Sequence, residues 1–205
     1  MRPLPSPLLA VTDRHGHSRP LVETVEAVLD GGGRWIWFRD RDMPSEARRR
    51  LGGTVAERVR ASRGFLTVGG DVELALALGA DGVHLGGGAG PGDIAAARQV
   101  LGPASWIGVS THGPCDVAAA AKGGADYVTL SPIFLSASKP GYGPALGVAG
   151  IAAARCQGLP IVALGGIAAE TVVACRAAGA MGVAVMGGLM RSDDPGALAR
   201  MLSDS

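Results

Sequence analysis

Two paired-glycine stretches, ALGGI (Ala163 to Ile167) and AVMGGL (Ala184 to Leu189), and three cations, Arg39, Arg41 and Lys139, are the residues of this chain best suited to hold an anion. Glycine lets main-chain N–H groups come close to phosphate oxygens, and a short helix starting near Gly187 would aim its positive end at the same place. Arginine adds a planar fork able to engage two oxygens at once. In FRDR, strand alternation sets Arg39 and Arg41 on one side if the strand runs that far, an arrangement that suits a diphosphate. The competing reading is a solvated pair balanced by Asp40 and Asp42. Lys139 is the only lysine of SPIFLSASKPGYGPALG (Ser131 to Gly147), where Ser136, Ser138 and Gly141 suit a loop that closes on phosphate; the alternative is a plain surface lysine.

Histidine offers fewer openings. His84, in VHL, alternates with Val83 and Leu85 and is expected to be a hydrogen-bonded interior group rather than a general base. His112, in GVSTH, is better placed for chemistry, or else caps the following helix. His15 and His17 have an i, i+2 spacing without a third ligand nearby, so no metal site is expected there. Cys115, Cys156 and Cys175 lack CxxC spacing and are expected to be small buried apolar residues.

The elements that must position these groups repeat along the chain. LALGADGVHL, AKGGADYVTL and RAAGAMGVAV, with a looser copy in LDGGGRWIWF, each read as an Ala-rich helical tail, a glycine in a left-handed C-terminal position, and a short strand. Together with PLLAV, GFLTV, SWIGV and PIVAL they predict eight strands, near residues 8–11, 35–38, 65–68, 81–85, 105–109, 126–130, 160–164 and 182–186. Strands apolar on both faces and alternating with helices imply a helix-covered parallel sheet, and eight such units close into a (β/α)8 TIM barrel. An open doubly wound sheet is the rival, but no GxGxxG turn follows the first strand. In a barrel, Thr12, Asp13, Arg39, Arg41, Gly69 to Asp71, His84, Ser110, His112, Lys139, Gly165, Gly166 and Met186 to Gly188 gather at the C-terminal face. The glycines after strands seven and eight then fall where barrels commonly bind phosphate.

Bulk properties agree with a small-molecule ligand. The 205 residues suit one domain, and the net charge of +1 with 18% charged residues gives no electrostatic footprint for nucleic acid or an anionic membrane. Hydrophobic content is 47%, yet no apolar run reaches the roughly 18 residues of a membrane span. In MRPLPSPLLAVTD the apolar run is cut short by Asp13 and Arg14, so a cytoplasmic location is expected.

In sequence order, LLAVTDRHG, WFRDRDM, VELALALGADGVHLG, IGVSTH, GADYVTLSPIFLSASKPGYGPALG, PIVALGGI and GVAVMGG resemble the thiamine phosphate synthase and TenI superfamily over nearly the whole chain. The resemblance implies one of two reactions: joining a hydroxymethylpyrimidine diphosphate to a thiazole phosphate with expulsion of magnesium-bound pyrophosphate, or TenI-like isomerisation of a thiazole carboxylate phosphate. A protein that binds thiazole phosphate without turnover is a third reading, and a homodimer is left open. By position, the resemblance implies that Gly165, Gly166, Met186 and Gly187 hold the thiazole phosphate, with Ser136 and Ser138 opposite, and that Arg39, Ser110 and Lys139 face the diphosphate. Arg41 stands where synthases usually have lysine. Other positions depart from the pattern. Trp37 replaces a glutamine, Gly69 and Gly70 replace Asn-Asp with Asp71 one residue late, GGGAG lacks a second metal-binding aspartate, and Pro132 replaces the TenI histidine. Mg2+ is thus implied by the family, while its usual carboxylates are missing.

Overall fold

Each of the predicted apolar segments forms a strand, and the eight strands pair in parallel and in chain order until β8 returns to β1. The result is a closed (β/α)8 barrel. The computed structural model describes residues 2–15, 18–136 and 143–204. The strands are β1 (Leu8–Val11), β2 (Trp35–Phe38), β3 (Phe65–Gly69), β4 (Gly82–Leu85), β5 (Trp106–Thr111), β6 (Tyr127–Leu130), β7 (Ile161–Leu164) and β8 (Gly182–Val185). The helices are α1 (Leu21–Asp30), α2 (Ser45–Ala61), α3 (Val72–Ala77), α4 (Pro91–Leu101), α5 (Pro114–Gly123), α6 (Gly147–Ala154), α7 (Ala169–Ala177), α8 (Gly187–Met190) and α9 (Pro195–Asp204). None is long and apolar enough to cross a membrane.

Strand alternation divides the apolar residues into two layers. Leu8, Ala10, Ile36, Phe38, Val83 and Val128 pack outward with the helices, whereas Leu9, Val11, Trp35, Trp37, Trp106 and Tyr127 fill the barrel interior. Aromatic residues are only 4% of the chain, yet they concentrate here, with the Trp35 and Tyr127 rings 4.8 Å apart. Glycine makes room for them: a Cβ on Gly108 would lie 2.2 Å from the Tyr127 ring.

The recurring helix ending has the expected geometry. Gly79, Gly124 and Gly179 take φ of 59°, 83° and 112° before β4, β6 and β8, and Arg63 takes the same left-handed conformation (φ 52°) before β3. One expectation fails. Cys175 is buried, but Cys115 and Cys156 are exposed, because they fall on outer turns of α5 and of the short 3-10 turn Arg155–Gln157. β5 also runs on to Thr111, which carries Ser110 to the inward-facing end of the strand.

Candidate active site

A cavity of about 510 Å3 opens over the C-terminal ends of β1, β2, β6, β7 and β8. Gly165 (φ 101°) and Gly166 (φ 62°) form its β7 side, in backbone conformations that L side chains seldom adopt. Both are also needed for contact. A Cβ on Gly165 would lie 2.9 Å from Pro132 Cα, and one on Gly166 would lie 2.4 Å from the Leu135 carbonyl oxygen. That closeness lets the loop after β6 pair with the β7 turn, Ile133 N–H donating to Leu164 O and Phe134 N–H to Gly165 O, each at 2.9 Å. The pairing brings Ser136 to the cavity wall opposite α8. On the far side Met186, Gly187 and Gly188 line the cavity, and α8 begins at Gly187. The first N–H groups of a helix have no intrahelical acceptor, which suits them to an anion.

The two arginines of FRDR go separate ways because β2 ends at Phe38. Arg39 crosses the mouth and lines the cavity, its Nη1 4.0 Å from Met186 Sδ. Arg41 turns toward the β3 end, where its guanidinium lies 2.7 Å from the position a Cβ on Gly70 would take. Partial burial of that guanidinium, then the charges of Arg39 and Arg48, lowers its pKa from the ordinary value. The neighbouring carboxylates are engaged elsewhere. Asp40 accepts from Thr12 Oγ1 (2.5 Å) and Arg14 N–H (2.9 Å), and Asp42 is held by Arg14 (2.5 Å) and His15 (2.8 Å). Among the described residues neither Arg39 nor Arg41 is in an ion pair, so the balanced-pair reading of FRDR does not hold.

Below the mouth, His84 is fully buried and lies tilted against Trp37, with ring centroids 4.0 Å apart and an interplanar angle of 41°. Its Nδ1 meets Tyr127 Oη at 2.9 Å, and its Nε2 meets Ser110 Oγ at 3.1 Å and Thr129 Oγ1 at 3.2 Å. Burial, helped by the charge of Arg41, pulls its pKa down to about 3. It is therefore a neutral, hydrogen-bonded interior group. This has a consequence for stability. Between about pH 6.5 and 3 the unfolded chain binds a proton at this histidine that the folded chain refuses, so stability falls as pH falls, by up to about 1.4 kcal/mol per pH unit. Denaturant melts at pH 7 and 4.5 should show His84→Gln losing about 2–3 kcal/mol less than wild type over that interval; equal losses would contradict the assignment.

The family described as thiamine monophosphate synthase matches residues 8–189. The chain belongs to this family. It is similar to a thiamine-phosphate synthase of Methylobacillus flagellatus, 41% identical over 194 residues covering 94% of this chain and 91% of the relative. A thiamine-phosphate synthase of Roseiflexus castenholzii is 37% identical over 209 residues, covering 98% of this chain and 91% of the relative. Among solved structures, thiamine phosphate pyrophosphorylase from Pyrococcus furiosus superposes with a TM-score of 0.84 at 29% identity, over 96% of this chain and 93% of that one.

Within this thiamine monophosphate synthase framework the candidate residues divide. Arg39, Ser136, Gly165, Gly166, Met186 and Gly187 share the cavity. Ser110 faces His84 instead, and His112 lies beside the β4 loop, its Nδ1 2.8 Å from Ser131 O. The helix-cap reading of His112 gives way to Asp116, which accepts the His112 N–H at 2.8 Å. Asp71 caps α3 through Leu74 N–H (2.9 Å) and pairs with Arg48 Nη1 at 2.7 Å. Arg41 and Asp71 line a separate cavity of about 420 Å3. Ser138 and Lys139 lie outside the described residues. Sequence reading missed Arg191, which lines the main cavity from the end of α8; its spacing of four from Gly187 was the available signal.

Proposed function

We propose that this chain is a thiamine-phosphate synthase, joining a hydroxymethylpyrimidine diphosphate to a thiazole phosphate and releasing pyrophosphate. The observation that carries the reading is the cavity in which the β7 glycine turn, the start of α8, Ser136 and the side chain of Arg39 converge. The N–H groups of Gly166, Gly187 and Gly188 suit the thiazole phosphate, and Arg39 suits the diphosphate.

The thiazole nitrogen gives its lone pair to the pyrimidine methylene carbon while the carbon–oxygen bond breaks, and that electron pair leaves on pyrophosphate. No proton needs to move, so a site with a buried neutral His84 is no handicap. The demand is electrostatic: negative charge grows on the departing oxygen, and arginines fixed at the mouth oppose it without rearranging. Val11, Trp37, Leu164 and Ile167 give the cavity apolar walls, which limit water that would otherwise intercept the activated carbon. A TenI-like isomerisation needs a proton carrier where this chain has Pro132, a cavity-lining residue without a titratable group.

The test is incubation with both substrates, following thiamine phosphate and pyrophosphate together. Formation of the two in equal amounts is expected. Binding of thiazole phosphate without product would leave only the carrier reading and overturn this one.

A further inference from the structure

The family implies magnesium on the departing pyrophosphate, and the donor set of this chain does not fit that ion. β3 ends on Gly69 and Gly70 follows it, and the loop after β4 begins Gly86, Gly87, Gly88. The aspartates nearest these turns have other work: Asp71 caps α3 and pairs with Arg48, and Asp93 accepts the Gly90 N–H at 2.8 Å as part of the α4 cap. Among the described residues no group of three His, Cys, Asp or Glu side chains is placed to hold a metal.

The space released by those glycines is filled by other side chains. A Cβ on Gly69 would lie 2.8 Å from Trp37 Nε1, and a Cβ on Gly70 would lie 2.7 Å from Arg41 Nη2 and 2.9 Å from its Cζ. A permanent cation therefore occupies the place from which a carboxylate would hold a divalent one. Arg41 has no hydrogen bond or ion pair among the described residues; its neighbours Asp40 and Asp42 are committed, and so are Asp71 and Glu46 of the same cavity, paired with Arg48 and Arg50. Its guanidinium is thus available to an incoming anion, and it lies near enough to Arg39 to feel that residue's charge.

We propose that Arg41 takes over the electrostatic role of the metal, so that the diphosphate group binds this protein, and pyrophosphate leaves it, without a divalent cation. This rests on the synthase reading of the mouth. A guanidinium offers two parallel donors to adjacent phosphate oxygens and cannot lose its proton at working pH, which suits it to the task.

The experiment is calorimetric titration of the full chain with inorganic pyrophosphate, in chelator and in Mg2+. Wild type should bind in chelator with a Kd within about threefold of that in Mg2+. Arg41→Ala should weaken chelator binding by about 10- to 100-fold, as expected for losing charge-assisted hydrogen bonds. Arg41→Lys should fall between, and thermal melts of both variants report whether each is folded. Binding that appears only with Mg2+, no binding in either buffer, or folded Arg41 variants matching wild type in chelator would overturn the proposal. The two readings fail separately. Metal-free pyrophosphate binding without product formation sinks the synthase reading alone, and product formation with strictly Mg2+-dependent pyrophosphate binding sinks this one alone.

Discussion

Arg39→Ala should lower kcat/KM for thiamine phosphate formation by about 10²–10³-fold, the range seen when one fixed donor is taken from a developing negative charge. The stability cost should be small. The Arg39 main-chain N–H donates to Thr12 Oγ1 at 2.9 Å, a bond the substitution keeps, and among the described residues the side chain's hydrogen-bond contact is Met186 Sδ at 4.0 Å. Folding stability is therefore expected to stay within about 0.5 kcal/mol of wild type. Arg39→Lys should recover part of the activity, since a point charge replaces the planar fork. Steady-state kinetics beside a denaturant melt decide the matter. A loss of less than tenfold in a folded Arg39→Ala would remove this residue from the reaction.

Gly166→Ala should damage both stability and turnover, for a different reason. The added methyl would sit 2.4 Å from Leu135 O and 2.7 Å from Phe134 Cβ, on a residue whose φ is 62°. Left-handed strain of about 1–2 kcal/mol and overpacking of about 1–3 kcal/mol should add to a loss of about 2–5 kcal/mol. Because Phe134 N–H pairs with Gly165 O, relief of the clash would push the β6 loop, and Ser136 with it, off the cavity wall. Gly158→Ala is the control. Gly158 shares a positive φ of 81°, but a Cβ there meets nothing within 4 Å, so only strain of about 1 kcal/mol is expected, with activity unchanged. Equal effects of the two substitutions would show that contact with the β6 loop does not matter.

Much of this architecture was legible in local sequence, because its signals are local. A glycine closing an Ala-rich helix before a β-branched run needs only its neighbours, and Gly79, Gly124 and Gly179 take the left-handed conformations that the pattern predicts. The glycine pairs were found the same way, and the barrel then set those after β7 and β8 side by side.

What escaped depends on contacts between distant segments. FRDR reads as two arginines on one face, but the strand stops at Phe38, and the space beside Gly70 draws Arg41 away from Arg39. Trp37 and the glycines at the end of β3 look like unrelated departures until the Trp37 indole is seen filling the place of a side chain at 69. Exposure of Cys115 and Cys156 does not follow from residue type: Cys115 sits in the first turn of α5 and Cys156 in the 3-10 turn after α6, and the alanines of the two helices beside them do not mark which face is inward.

The placement of thiazole phosphate is tested most directly by a crystal structure of the protein with that ligand bound. The phosphate is expected in the cavity of about 510 Å3. Its oxygens should lie about 2.7–3.2 Å from the main-chain nitrogens of Gly166 and of Gly187 or Gly188. A phosphate seated instead beside Arg48 and Arg49, in the smaller cavity, would contradict the account.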